Sequence, residues 1–377
     1  MTEAGALRLR SVLLTAATFA VCLLLPAVSL YYVWEDVLAG SGITPDFGLA
    51  YYPAGEAVLD GEPLYPEGEL VERSGFIVEY VYPPLTAIAV SPLTALPVDV
   101  ASALFSLFLM AVVVAMLLVL GVRDWRCYGL AFLWPPVQET IDTGNVTIVL
   151  GLAAALVWRF RDRPGAAGAS LGGGLATKLL LWPLLLWLLV TRRFRALAWA
   201  VVVATLVLLA SWSVIRFRQL GDYADLLRRL GEIQDGRSYT LYALGLDLGL
   251  PDLLARGLWL AVGAGVLAAM LVVARRGDER RAFVLSVAAV LACTPIVWLH
   301  YLSLLLVVVA IAEPRLGPAW FVGLAMQLVV STGVYNGSTL QNAAVLVLTA
   351  LTVALALKPS WPLPSGRTRA TPAAESL

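Results

Sequence analysis

Long apolar runs separated by short arginine-rich breaks constrain this chain more than anything else in it. Runs such as 98–121 and 196–214 have no water to satisfy their backbone groups if they lie in lipid, so they must be helices. Water is the wrong solvent for them. The 377 residues are 60% hydrophobic and 14% charged, whereas a soluble domain carries roughly 45–50% apolar and about 25% charged residues. The chain reads as an all-α, polytopic membrane protein. Arg8 and Arg10 precede the first run, which is long enough to span and lacks a small-residue cleavage pattern, so it reads as a retained anchor. Formal net charge is zero, which gives no field for nucleic acid. Cys22, Cys127 and Cys293 all lie in apolar runs, which argues against a disulfide framework. No Cys/His spacing suggests zinc.

The basic clusters set a topology if all of them stay in the cytoplasm. They are Arg8/Arg10, Arg123/Arg126, Arg159/Arg161/Arg163, Arg192/Arg193/Arg195, Arg275/Arg276/Arg280/Arg281, Arg315 and Lys358/Arg367/Arg369. The spans expected are 9–32, 98–121, 127–138, 145–160, 165–177, 179–191, 196–214, 257–274, 282–295, 298–312, 316–333 and 343–357. That is a bundle of about twelve transmembrane helices with both termini inside, several of them shorter than the ~20 residues of a straight crossing. Segment 83–97, bracketed by Pro83-Pro84 and Pro97, would break the parity if it crossed. It reads as a re-entrant or interfacial helix on the outer side. Residues 1–357 form one membrane domain with outer loops at 33–97 and 215–256. The Pro-, Ser-, Thr- and Ala-rich 358–377 reads as a disordered cytoplasmic tail.

On this path the polar chemistry collects outside. Loop 33–82 holds ten carboxylates, Asp36 and Asp46 among them, against the single basic residue Arg73. Asp46, in Thr44-Pro45-Asp46-Phe47-Gly48, is the candidate general base, since a carboxylate there can take a proton from a sugar hydroxyl. The competing reading is a turn residue after proline. Lys178 is one of two lysines and follows Gly172-Gly173-Gly174-Leu175-Ala176-Thr177 at the turn of an expected helical hairpin. It reads as a phosphate clamp, or as a lysine snorkelling to headgroups. The glycines lack the order of a nucleotide loop and read as close helix packing. The only histidine, His300, reads as a donor contact or as a satisfied interface residue. Trp298 beside it is a candidate platform for the sugar. Glu139, Asp142 and Asn145 flank a short broken span. They could meet acceptor hydroxyls, as could Tyr51 and Tyr52, or stand in a solvated turn. Two carboxylates without a third ligand make no convincing metal site, and no metal or other cofactor is expected.

These pieces, in order, resemble a family. Asp46 with Tyr51-Tyr52, Asp60-Gly61-Glu62-Pro63-Leu64-Tyr65, Tyr82-Pro83-Pro84, Gly144-Asn145-Val146-Thr147, Gly174 to Lys178 with Pro183 and Arg192-Arg193, and Thr294 to His300 carry the likeness across roughly 45–345. The chain is similar to polyprenol-phosphate-sugar-dependent glycosyltransferases of the GT-C fold, of the family-87 type. That type includes actinobacterial mannosyltransferases acting on phosphatidylinositol mannosides, and related members transfer arabinofuranose. The resemblance implies that Asp46 matches the catalytic base and that His300 matches a histidine at the outer end of a late helix. Two positions depart: the family often has Gly-Gln where this chain has Gly144-Asn145, and often two histidines where it has His300-Tyr301.

The reading that follows is a plasma-membrane enzyme working on the extracytoplasmic side. A polyprenyl-phosphate sugar, most simply a mannosyl donor, would bind with its phosphate at Lys178, aided by Arg73 or His300. A hydroxyl of a glycolipid or glycan acceptor would attack with inversion as Asp46 takes its proton. No nucleotide sugar is required. A flippase or transporter of lipid-linked sugars also explains short broken helices, but predicts polar residues lining a path to both faces and inverted repeats. A non-catalytic envelope scaffold would leave Asp46 dispensable.

Overall fold

The computed structural model describes residues 3–38, 44–65, 72–73, 76–77, 80–330 and 337–358. Their regular secondary structure is helical apart from one short antiparallel pairing, Glu72 opposite Ile77 and Arg73 opposite Phe76. The chain opens with α1 (Glu3–Phe19) and α2 (Leu25–Leu38), joined by a π-helical turn at Ala20–Leu24. Pro26 has no N–H to bond the carbonyl of Cys22 four residues back, and a widened turn at that point is the expected response. Helix α3 (Tyr52–Asp60) follows a second π turn at Phe47–Tyr51. Then come α4 (Pro84–Val90), α5 (Val98–Val119), α6 (Trp125–Phe132), α7 (Pro135–Thr143), α8 (Thr147–Arg159) and α9 (Pro164–Thr177). The remainder is α10 (Pro183–Val190), α11 (Phe194–Val214), α12 (Leu220–Gln234), α13 (Leu241–Asp247), α14 (Asp252–Arg275), α15 (Glu279–Ala292), α16 (Leu305–Ala312), α17 (Pro318–Ala325) and α18 (Thr339–Ala356).

Among the described residues, five segments are long and apolar enough to cross a membrane: 10–35, α5, α11, α14 and α18. The pair α7–α8, bent by 120°, makes a sixth if it is one broken span. Four shorter apolar helices lie at 84–95, 179–190, 299–312 and 318–328. The protein is a polytopic membrane protein, and the shorter pieces are where the expected crossings fall below span length. The expected span 127–138 divides at Leu133-Trp134, because Pro135 and Pro136 can begin a helix but not continue one. The loop expected from 33 begins later, since α2 runs to Leu38. Segment 83–97 holds α4 and a 3-10 turn at Ser91–Ala95, between the two proline signals. Loop 215–256 carries α12 and α13. The tail beyond 358 lies outside the described residues.

Helices divide into a sheath and a core. Within the most apolar stretch of α14, only 11% is buried, with Leu253, Leu254, Leu258 and Leu260 turned outward. In contrast, Ala282–Leu291 of α15 and Leu305–Ala310 of α16 are buried without interruption. A helix covered on every face sits at the centre of the bundle, whereas an apolar helix left uncovered faces lipid. Helix α9 packs on α11 through small residues: a Cβ at Gly172 would lie 2.8 Å from the Ala200 carbonyl oxygen. The glycine run therefore serves close approach at Gly172. Helices α9 and α10 do not lie along one another; α9 packs on α8 and α11, and α10 on α11, α14 and α15. Lys178 thus marks a parting of two helices rather than the tip of a closed hairpin.

Three basic breaks gather at one end of the bundle. Arg193 donates to Glu279 at 2.9 Å and 3.1 Å and to the Arg161 carbonyl at 3.0 Å, while Arg161 reaches Glu279 at 3.7 Å. Arg280 donates to the carbonyls of Ala356 and Lys358, which brings the end of α18 there too.

The bend between α7 and α8 sets up the opposite side of the molecule. Gly144 has φ +70°, a left-handed cap that ends α7. A Cβ there would come 2.6 Å from the Cβ of Phe47, so the segment after Asp46 rests directly on the bend. Gly144→Ala is expected to cost about 1–2 kcal/mol in backbone strain alone, and more from pushing Phe47 away. Thermal unfolding in detergent should show a lower midpoint, and an unchanged midpoint would mean that the bend tolerates a side chain.

Candidate active site

Two anchors on α5 fix Asp46. Thr44 Oγ1 donates to Ser102 Oγ at 3.2 Å, and the Phe47 ring stacks on Phe105 with centroids 4.6 Å apart. The partly buried Asp46 side chain turns toward the α7–α8 bend, where Asn145 Nδ2 donates to Asp46 Oδ2 at 2.9 Å. The same Nδ2 donates to the Tyr82 hydroxyl at 3.0 Å. Asn145 Oδ1 accepts from the Thr147 backbone N–H at 2.8 Å and from Thr147 Oγ1 at 2.6 Å. Burial pushes the Asp46 carboxyl above the usual carboxylate range, and hydrogen bonds from Asn145 and Thr143, with the charge of Lys178, pull it part of the way back.

Lys178 closes the cluster from the other side. Its backbone is extended, with φ −158° and ψ 128°, because α9 has just ended at Thr177. The ammonium lies 4.0 Å from the Tyr301 ring centroid and 4.7 Å from that of Tyr82. It contacts the Tyr301 hydroxyl and lies 3.4 Å from the Tyr82 hydroxyl. Two aromatic faces can hold a cation with about 0.5–2 kcal/mol each. Tyr82 is held in turn by Tyr65, whose hydroxyl donates to the Tyr82 carbonyl at 2.7 Å, and by the edge-on ring of Tyr51 at 5.1 Å. Pro83 and Pro84 then turn the chain into α4. A carboxylate and an ammonium are thereby linked through one amide and one phenol.

His300 lies beside this link. It is 4% exposed, its ring is 4.9 Å from Tyr301 and 5.7 Å from Trp298, and neither ring nitrogen has a hydrogen-bond partner in the protein. Its carbonyl accepts from Ser303 Oγ at 2.6 Å and Thr140 Oγ1 at 3.3 Å, which ties the 299–304 turn to α7. Trp298 stays partly exposed. Glu139 and Asp142, both partly exposed on α7, act electrostatically on one another, and Asp46 acts on Glu139 as well. Tyr51 is fully buried behind Asp46 among Tyr80, Tyr82 and Phe105. Tyr52 instead turns away and donates to the Leu96 carbonyl at 2.8 Å. Arg73 pairs through its backbone with Phe76, and its side chain lies outside the described residues.

The structure therefore brings Asp46, Asn145, Lys178, His300, Trp298, Glu139 and Asp142 to one side of the bundle and leaves Tyr52 apart. Sequence reasoning did not single out Tyr82, Tyr301 or Thr147 as site residues. Signals for them existed: Tyr82 precedes a proline pair, Tyr301 adjoins His300, and Asn-x-Thr at a helix start is a side-chain turn pattern. Beside the site, an apolar cavity of about 360 Å³ opens between α14, α15 and α18, walled near the site by Tyr239, Val297 and Leu302. Among the described residues no three His, Cys, Asp or Glu side chains group as metal ligands.

Comparison with known proteins adds identity to this geometry. Two curated relatives are both called polyprenol-phosphate-mannose-dependent alpha-(1-2)-phosphatidylinositol mannoside mannosyltransferase. The one from Mycolicibacterium smegmatis (strain ATCC 700084 / mc(2)155) is 26% identical over 314 residues, 73% of this chain and 71% of its own length. That from Mycobacterium tuberculosis (strain ATCC 25618 / H37Rv) is 26% identical over 315 residues, 74% and 72% of the two chains. No solved structure matches. The model of glycosyltransferase family 87 matches residues 80–299, a stretch that contains Tyr82, Asn145, Lys178 and Trp298. With more than half of its length matched, this chain belongs to glycosyltransferase family 87.

Proposed function

We propose that the protein transfers a mannosyl residue from a polyprenyl-phosphate donor to a hydroxyl of a glycolipid of the phosphatidylinositol mannoside type. The reading rests on one observation above all: Asp46 and Lys178 face a single cluster, joined through Asn145 and Tyr82. The acceptor oxygen attacks C1 of the sugar, its proton passes to Asp46, and the C1–O bond breaks with the electron pair leaving on the polyprenyl phosphate. Lys178 meets the charge that grows on that phosphate. The unpartnered ring nitrogens of His300 are suited to the same phosphate or to a sugar hydroxyl. Trp298 offers a face for the sugar ring. Glu139 and Asp142 are suited to acceptor hydroxyls. One displacement inverts the anomeric centre, so a β-linked donor gives an α-mannoside, in keeping with the alpha linkage in the relatives' names.

The apolar cavity beside the 297–302 turn suits a lipid chain, as both substrates of such a reaction would carry. Sidedness follows from charge. The end that gathers Arg161, Arg193 and Arg280 is cytoplasmic by the positive-inside rule, so the candidate site faces the extracytoplasmic side of the plasma membrane and both termini are cytoplasmic. The shorter helices complete a GT-C-like bundle of about twelve helices as partial or tilted insertions.

Three outcomes test the reading. Asp46→Asn should fold, bind donor and lose about 10²–10⁴-fold in turnover, measured by mass analysis of the mannosylated lipid; full turnover would remove Asp46 as the base. The rate should fall as pH is lowered through a value above the usual carboxylate range, because a base with a raised pKa is protonated sooner. An acid limb at or below the ordinary aspartate value would contradict this. Lys178→Ala should lower kcat/KM for the donor by roughly 10²–10³-fold while changing acceptor KM little. Equal loss toward both substrates would argue against a phosphate clamp.

A further inference from the structure

We propose that Asn145 is a positioning residue for the reaction: its amide, locked by Thr147, orients the Asp46 carboxylate and ties it to the Tyr82 hydroxyl at Lys178. The proposal rests on the reading of Asp46 as the base, and it gives Asn145 a task other than contact with the acceptor.

The argument is a count of hydrogen-bonding capacity. A primary amide has two donor hydrogens and two acceptor positions. At Asn145 all four are used within the protein. Oδ1 accepts from the Thr147 N–H and the Thr147 hydroxyl, and Nδ2 donates to Asp46 Oδ2 and to Tyr82. Nothing remains for a substrate, and the side chain is 0% exposed. The orientation is forced as well. A backbone N–H can only donate, so the oxygen must face Thr147. A flipped amide would set its NH2 against the Thr147 N–H and its oxygen against the Asp46 carboxylate, which is costly. With Oδ1 pinned, Nδ2 can point only at Asp46 and Tyr82.

The lock is local in sequence and its target is remote. Asn145 and Thr147 lie two residues apart at the start of α8, whereas Asp46 lies 99 residues and Tyr82 63 residues away. Gly144 allows the approach, since a side chain there would push Phe47 off the bend. Other charged or titratable groups acting around Asp46 are Lys178, Glu139, Tyr51, Tyr82 and Tyr301. Asn145 donates directly to one carboxylate oxygen, with Thr143 as a second neutral neighbour, and so helps to fix the orientation in which the proton is received. Fixing that orientation matters because small misplacements of a reacting group cost large factors in rate.

The test is the pH dependence of kcat/KM, measured with polyprenyl-phosphate mannose and a phosphatidylinositol mannoside for Asn145→Ala and Asn145→Asp. Asn145→Ala removes the donor that favours ionised Asp46. Turnover should fall about 10- to 100-fold, and the acid limb should move to higher pH with KM for both substrates little changed. Asn145→Asp keeps the shape and sets a second carboxylate beside the first. Its acid limb should move further up, because like charges resist ionisation together. Since Asn145→Asp preserves the fold's packing, it carries the test if Asn145→Ala does not fold. Either of two results overturns the proposal: acid limbs that superimpose on the parent's, or a rise in acceptor KM with kcat intact. Asp46→Asn, assayed alongside, separates the two readings. If it is inactive while the Asn145 profiles stay put, only the positioning role falls; if it is fully active, the base assignment falls too.

Discussion

A carboxyl group and an amino group, both drawn out of water in one membrane protein, are the most demanding feature of this structure. Each, when charged, loses several kcal/mol of hydration unless the protein replaces it. Asp46 and Lys178 are compensated jointly rather than by direct contact. Asn145 and Tyr82 carry the linkage at 2.9, 3.0 and 3.4 Å, and two tyrosine faces shelter the cation. Such a linkage keeps the two groups from closing on one another as a direct ion pair. The rest of the bundle can be understood as what holds these four side chains in register.

That holding is done by breaks in helices. Asp46 precedes a π turn, Asn145 sits at a 120° bend, Lys178 at the parting of α9 and α10, and Tyr301 within a 3-10 turn. A regular helix in lipid has no backbone groups to spare and directs its side chains outward. A break frees side chains to converge, and it is tolerated only where protein rather than lipid surrounds it. The sheath of α11, α14 and α18 is long and unbroken, while the bend at Asn145 and the 3-10 turn that carries Tyr301 are buried. The proposed transfer needs one acid, one cation and a lipid-borne leaving group to meet, and such convergence is what the breaks supply.

Much of the architecture was legible from periodicity and punctuation. Nearly every expected span has a helix within a few residues of it, because a hydrophobic run in lipid has one backbone solution. The 127–138 span failed where prolines begin a helix inside an apolar run. Crossing number was less legible, because short segments such as 179–190 satisfy composition without satisfying length. Asp46, Lys178 and His300 stood out as isolated polar residues beside apolar runs. Asn145 also stood out, yet its partners could not be read, since a side chain's hydrogen-bond count depends on which distant segments arrive. Tyr52 looked equivalent to Tyr51 in sequence, but one residue of helical rotation turns its hydroxyl to Leu96 instead.

By itself, then, the sequence determined a helical membrane protein, several of its breaks, and the short roster of polar side chains that lipid would not tolerate without a partner. Hydrophobic periodicity and the hydrogen-bonding demands of the backbone are local properties, and a linear text carries them. Only the tertiary structure decided that Asp46 meets Asn145, that Tyr82 and Tyr301 flank Lys178, and that Thr147 locks the amide between them. Those contacts span up to 123 residues of chain. They depend on packing such as Gly144 against Phe47, where a single methyl group decides whether two remote segments can touch.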